Sequence, residues 1–473
     1  MDNWRHCASF EAPWRIETQT MRQLIRIASG QGFWGDLQTA PIDQVRNGPI
    51  DYMMMDYLAE VTMSILQKQK MKDSNLGYAK DLIPLLEEIL PDIVKKNVKV
   101  ITNGGGVNPI ACRNAIFAVA EKLKIKNLKV GVILGDDILG QIDALIAQGI
   151  RLDNMETKEG VDSIRSKVIS ANVYFGAFPI VEALRQGAQI IITGRTTDTG
   201  LTLAPMLHEF GWSDTDWDKL AAGTVTGHIL ECGGQASGGN FSADWKSVPD
   251  LAHIGFPIAE ARPDGTVVIT KHEKTGGLVS SATIKEQLLY EIGDPKNYIT
   301  PDCIADFTTI QLRDVAANRV EVSGVKGKRA TDFYKVSMSY FDGYTAFGTL
   351  TYSWPDALEK ASKADEILRT RLSDLHLKFE EIRTEFLGYD SCFGPLANDS
   401  QTMNEVVMRV GVRGHDKKAI DRFSKEIAPL ILTGPPSVTG FAGGRPKPSE
   451  VIAYWPALIP KSAVTPKVIV EKN

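Results

Sequence analysis

The segment Ile190-Ile-Ile-Thr-Gly-Arg-Thr-Thr-Asp-Thr-Gly200 is an apolar run that breaks into a glycine, an arginine and an aspartate. Three isoleucines and a threonine bounded by glycine read as a strand buried on both faces, with Thr199 to His208 as the helix that follows. The same pattern recurs upstream. Leu24-Ile-Arg-Ile-Ala28 stops at Ser29-Gly-Gln-Gly-Phe-Trp-Gly-Asp36, and Ile50-Asp-Tyr-Met-Met-Met-Asp56 ends on an acid. Val98-Lys-Val-Ile-Thr102 opens into Asn103-Gly-Gly-Gly-Val-Asn-Pro109, and Leu128-Lys-Val-Gly-Val-Ile-Leu134 ends at Gly135-Asp-Asp137. Helical spacing is predicted over 58–71, 82–95, 109–122 and 138–148, so strands and helices alternate. That alternation predicts an α/β fold with a mainly parallel, Rossmann-like N-terminal sheet. Ligands of such sheets bind beyond the carboxyl ends of the strands. The segments 29–36, 103–108 and 194–198, with Asp56 and Asp136, are therefore expected to converge on one cleft built from βα loops.

Downstream, the spacing predicts a helix over 220–232 with His228, Glu231 and Cys232 on one face of its last turn. After Gly239 the texture becomes richer in proline, glycine and short β runs. Two alternating strands around Asp342-Gly343 read as a hairpin, and Thr283 to Lys285 as a short β run. Helices are predicted over 357–375 and 417–430. These features divide the chain into an extension (1–22), an α/β domain with the cleft (23–240) and a smaller α+β C-terminal domain (241–473). The last carries a Pro/Gly-rich strap, 433–448, that holds Arg445.

The bulk numbers narrow the function. With 473 residues and 43% hydrophobic content, a large core over two domains is the natural prior. A net charge of -5 argues against nucleic acid as partner. No apolar run approaches the roughly 20 residues that span a bilayer, and residues 1–22 lack the apolar core of a secretion signal. Five scattered cysteines without a CxxC pair fit a reducing compartment, the cytoplasm.

Each candidate residue carries two readings. Gly30, Gly32 and Gly35 have the spacing of a dinucleotide turn, and Asp56 stands where a ribose acid would. Phe33 and Trp34 fill the positions where a pyrophosphate needs open backbone, so no cofactor is expected. Gly104, Gly105 and Gly194 are permissive backbone at strand ends. Arg195 is a clamp for a carboxylate or phosphate, and Asp198 an acid/base group or the N-cap of the next helix. Asp36 and Asn103 are acid/base and oxyanion candidates or loop-closing side chains. Glu60 complements a helix dipole or is a carboxylate at a strand end. His228, Glu231 and Cys232 are acid/base or nucleophile candidates, or a plain helix end. Zinc would accept all three, but no fourth ligand is evident, so no metal is expected. Arg445 is an anion clamp or part of a domain-crossing strap.

Eight of these segments in order carry a resemblance: 29–36; Leu58-Ala-Glu60; Thr102-Asn-Gly-Gly105 with Asn108-Pro109; Ile192-Thr-Gly-Arg195 with Asp198; His208-Glu-Phe-Gly-Trp212; Gly227-His-Ile-Leu-Glu-Cys-Gly233; Gly434-Pro-Pro to Gly-Gly-Arg-Pro446; and Ala453-Tyr-Trp-Pro456. Together they resemble the acyclic terpene utilisation AtuA family over about residues 23–460. The resemblance implies a role in breaking down acyclic terpenes through acyl-CoA thioesters, with CoA as a substrate moiety. The expected enzyme is a lyase or hydratase on a branched carboxylic acid or its thioester, working as a homo-oligomer. Many family members carry a further C-terminal domain, which here would come from a small separate subunit. A second expectation is a non-catalytic scaffold that binds such a subunit.

Overall fold

In the computed structural model the described residues are 22–397, 403–439 and 443–473. The expectation for the N-terminal extension lies outside them, except for Arg22, which pairs with Asp51 at 2.6 Å. The middle of the strap, 440–442, also lies outside. The described residues form two compact units, one of 22–138, 173–334 and 459–473, the other of 139–172, 335–397, 403–439 and 443–458.

The first unit holds a ten-stranded mixed sheet. Its order is Gln311–Ala316, Arg319–Ser323, Val267–Thr270, Ile258–Ala261, Ile25–Gln31, Tyr52–Met55, Lys99–Thr102, Ile190–Thr193, Lys129–Leu134 and Lys467–Lys472. The five strands from Ile25–Gln31 to Lys129–Leu134 are parallel to one another. They are the five read from the apolar runs, and they are buried on both faces because helices cover both. The parallel order is extended by antiparallel strands on both sides, Ile258–Ala261 against Ile25–Gln31 and Lys467–Lys472 against Lys129–Leu134. Those additions make the sheet mixed.

The chain does not divide near residue 240. Strands 258–261, 267–270, 311–316 and 319–323 complete the first unit's own sheet. Short β runs cannot tell from sequence whether they extend an existing sheet or found a new one. Thr283–Lys285 is not a β run either. It lies in the helix Ser281–Leu289, whose N-cap Ser280 accepts from Thr283 N while Thr283 Oγ1 accepts from Ser280 N.

The second unit is a sheet built on one long strand, Phe333–Ser353, which pairs with Glu405–Gly414, Val438–Thr439, Ser449–Pro460 and Val168–Val173. Helices Ala357–Asp374 and Lys417–Ile427 pack on it through Ala361, Leu368, Ile420 and Phe423. The expected hairpin at Asp342-Gly343 is absent. The strand runs straight through, with Gly343 at φ +86° and Asp342 ion-paired to Arg413 of the neighbouring strand. An Asp-Gly pair permits a reversal; here the strand continues, and residues 344–353 pair with Glu405–Gly414.

Candidate functional site

Beyond the carboxyl ends of the parallel strands of the first unit lies a cleft of ≈ 400 Å³. Its lining comes from five segments: Gly32 and Phe33; Asp56, Leu58, Ala59 and Glu60; Arg195 and Asp198; Glu231, Cys232 and Gln235; and Tyr290 and Glu291. Three segments follow strands 25–31, 52–55 and 190–193, which parallel register brings to one edge. The other two follow the helix Trp217–Leu230 and the helix Ser281–Leu289.

Arg195 is the buried centre, with 2% of its side chain exposed. Its Nη1 donates to Leu58 O at 2.7 Å and to Asp198 Oδ1 at 2.9 Å, and its guanidinium lies 4.2 Å from the centre of the Tyr174 ring. Its backbone N–H donates to the buried Asp136 Oδ2 at 2.8 Å. The guanidinium thus pairs with Asp198 and Leu58 O through Nη1, while its Nε has no protein partner and Arg195 lines the cleft. Asp198 is not the helix cap: Thr199 holds the N-cap position of the helix Gly200–Phe210, and the Asp198 carboxylate turns to Arg195.

Asp56 is 5% exposed, and its Oδ1 accepts from Leu58 N at 3.0 Å and from Asn103 Nδ2 at 2.6 Å. Asn103 is fully buried, and its Oδ1 accepts from Tyr57 N at 2.7 Å. Its amide therefore orients Asp56, and it does not line the cleft. Burial pushes the Asp56 carboxyl up to about 6, against Arg195, the Asn103 amide and the Leu58 N–H, while the charge of Glu231 adds to the rise. Burial likewise holds Asp198 well above the usual carboxylate range despite Arg195, with Asp56 and Glu231 as like charges on it. One face of Asp198 still opens to the cleft, since 32% of its side chain is exposed.

The remaining sequence candidates fall in different places. Asp36 closes its own loop, accepting from Gly32 N at 2.9 Å and Leu37 N at 2.7 Å. That bond, and a Gly30 packed against Met53 and Met55, leave no open backbone for a pyrophosphate there. Gly32 lines the cleft because a Cβ would sit 2.9 Å from Glu231 O. Gly104 and Gly105 pack against Leu82, Tyr57 and Ile192 below the cleft, and Gly194 makes room for the Asp136 carboxylate. Arg445 belongs to the second unit and is exposed there. His228 is buried, with Nδ1 2.8 Å from Glu231 Oε1. Burial and the nearby Glu231 charge push the Cys232 thiol up to about 12, so it stays a thiol at neutral pH. Among the described residues, no three or more His, Cys, Asp or Glu side chains are grouped to hold a metal ion.

Sequence reasoning left out Tyr174, Tyr290 and Glu291; it placed Asp56 at the strand-end cleft and as a ribose ligand, and did not weigh it as an acid/base group. Asp56 had a signal, an acid ending a strand. Glu60, the first residue of its helix, lines the cleft and accepts from Tyr174 Oη at 3.3 Å. No helix of the described residues is long and apolar enough to cross a membrane.

A family model described as acyclic terpene utilisation family protein AtuA matches residues 25–470. No significant match to this chain is found among curated proteins or solved structures.

Proposed function

The chain belongs to the acyclic terpene utilisation family AtuA, and from that premise we propose that its cleft performs the acid/base chemistry of a lyase or hydratase on a branched acyl thioester. One observation carries the reading: Asp56 and Asp198 flank Arg195 in one cleft, both held above the usual carboxylate range. A carboxyl of raised proton affinity is a stronger base when ionised and keeps its proton to higher pH, which acid/base catalysis uses and ordinary surface acids do not offer. Arg195 keeps Asp198 aimed, and Asn103 keeps Asp56 aimed; both are positioning residues in this scheme.

Charge chooses between the free acid and its thioester. Asp56, Glu60, Asp198, Glu231 and Glu291 line the cleft against a single cation, Arg195. A free carboxylate would meet net repulsion in so enclosed a space, whereas a thioester carbonyl is uncharged. The CoA phosphates would remain outside the cleft. Phe33, Leu58, Ala59 and Tyr290 supply apolar surface for a branched chain. In a hydration, one carboxylate takes a proton from water as its hydroxyl adds to the β-carbon, and the other carboxylic acid gives its proton to the α-carbon. The reverse elimination uses the same two groups with exchanged roles.

The test follows deuterium uptake from D₂O into a 3-methyl-branched 2-enoyl-CoA thioester, read by mass spectrometry. Wild type is expected to incorporate deuterium, and Asp56→Asn and Asp198→Asn to lose it by about 10²–10⁴-fold. Wild-type exchange in both variants overturns the assignment.

A further inference from the structure

We propose that Glu231 and His228 form a proton-sharing pair that is a second acid/base group of the same cleft, with Glu231 meeting substrate and His228 acting from behind as a positioning residue. This rests on the acid/base reading above and adds to it the group that opposes Asp198.

The pair follows from where the helix ends. Helix Trp217–Leu230 stops with Glu231 at its C-cap, its N–H still bonded to Gly227 O at 2.9 Å. Residues three apart share a helix face, so the Glu231 side chain returns over His228. His228 Nε2 lies 3.1 Å from the backbone carbonyl of Gln287. A carbonyl can only accept, so Nε2 must carry a proton. Nδ1 lies 2.8 Å from Glu231 Oε1, and that contact is bonded only if one further proton lies between them. Two forms satisfy both hydrogen bonds: imidazolium with carboxylate, and neutral imidazole with carboxylic acid. The proton passes from one to the other without any heavy atom moving.

The surroundings fix this arrangement. The edges of Tyr298 and Phe307 meet the ring at centroid distances of 5.5 and 5.4 Å. Gln287 Nε2 donates back to His228 O at 2.7 Å, so the two residues lock each other. The other oxygen, Glu231 Oε2, has no protein partner, while Glu231 lines the cleft. A buried carboxylate oxygen left unmatched by the protein is one that awaits a ligand group. The titratable groups around Glu231 are His228, Asp56, Asp198, Cys232 and Tyr298; those around His228 are Glu231, Glu291 and Tyr298. Glu231 and Asp198 line the same cleft, so the pair supplies the acid when Asp198 is the base, which is the division of labour that addition of water requires.

Two measurements test it. In histidine-selective ¹⁵N NMR of the whole chain, His228 is expected with Nε2 protonated and Nδ1 in a shared-proton bond. In Glu231→Gln the ring should revert to an ordinary neutral Nε2–H tautomer. A wild-type His228 whose Nδ1 is unprotonated and unbonded overturns the pair without any substrate. In the deuterium assay Glu231→Gln should lose about 10²–10⁴-fold in turnover with little change in KM, and His228→Gln should lose less and shift the pH profile. Wild-type turnover by Glu231→Gln overturns the proposal. If Asp198→Asn still abolishes exchange in that case, the broader acid/base reading stands and only the dyad falls.

Discussion

Replacing Asp56 with asparagine should make the protein more stable above pH 6 while removing activity. The Asp56 carboxyl is 5% exposed and sits at about 6, against an ordinary aspartate value of about 3.9 in an unfolded chain. Between those two values the folded state binds more protons than the unfolded state, so stability falls as pH rises. The loss is complete above about 6. About two units at 1.36 kcal/mol each give a penalty on the order of 3 kcal/mol for holding the charge there. Asparagine removes that penalty and keeps the local bonds, because Leu58 N and Asn103 Nδ2 both donate to the same oxygen, Oδ1. Thermal melts of both proteins from pH 3.5 to 8 would measure it. The curves should coincide below about pH 4, separate between about 4 and 6, and stay a few degrees apart above, at roughly 2–4 °C per kcal/mol or somewhat less for so large a unit. A variant less stable than wild type at pH 7.5, or a gap that does not depend on pH, refutes the reasoning.

Arg195→Met strands the Asp198 carboxylate and should destabilise the first unit by about 3–5 kcal/mol, with much of the loss restored in the double variant Arg195→Met/Asp198→Asn; a double-variant cycle by chemical denaturation checks it. Gly105→Ala should cost about 1–3 kcal/mol by overpacking, because its Cβ would lie 2.6 Å from Thr193 O and 2.6 Å from Ile192 Cγ2; thermal melting of the variant reads this directly. Cys232→Ser should keep most activity in the deuterium assay. At pH 7.5 iodoacetamide should label the exposed Cys392 well before Cys232, whose thiol sits at about 12; peptide mass mapping over time follows both.

The parallel core was legible because its signal is local and redundant. An apolar run ending in a glycine or an acid and alternating with helices, repeated five times, admits few other arrangements. Pro109 after Asn108 marked a helix start for a reason that holds in any context: Asn108 accepts from Ala111 N, and a proline at the first position lacks only a donor that would go unused. What sequence could not supply was partnership. Strands 258–261 and 319–323 look like any short β run until Glu260 is seen holding both Arg26 and Arg319 across the sheet. Asp342-Gly343 failed for the same reason. Turn chemistry states what a backbone permits, and the strands on either side decided that the chain would continue.

The candidate site shows a sharper form of that limit. A glycine beside a strand end says that no Cβ fits there, and says nothing about what occupies the space. At Gly194 the occupant is the Asp136 carboxylate, 2.4 Å from where a Cβ would be; at Gly176 it is Asp302, at 2.2 Å. Both spaces were filled from within by buried acids rather than left open for a ligand. Arg195 is partly engaged in the same way, since its guanidinium contacts Asp198, Leu58 and Tyr174. The net result is a cleft whose acids outnumber its bases five to one in Asp56, Glu60, Asp198, Glu231 and Glu291 against Arg195. Sequence had suggested an anion clamp. The geometry instead pairs that arginine with Asp198, while burial and the like charge of Glu231 raise the proton affinity of Asp56 and Asp198 in spite of it, and acids so held are suited to move protons on a substrate that arrives uncharged at its reacting end.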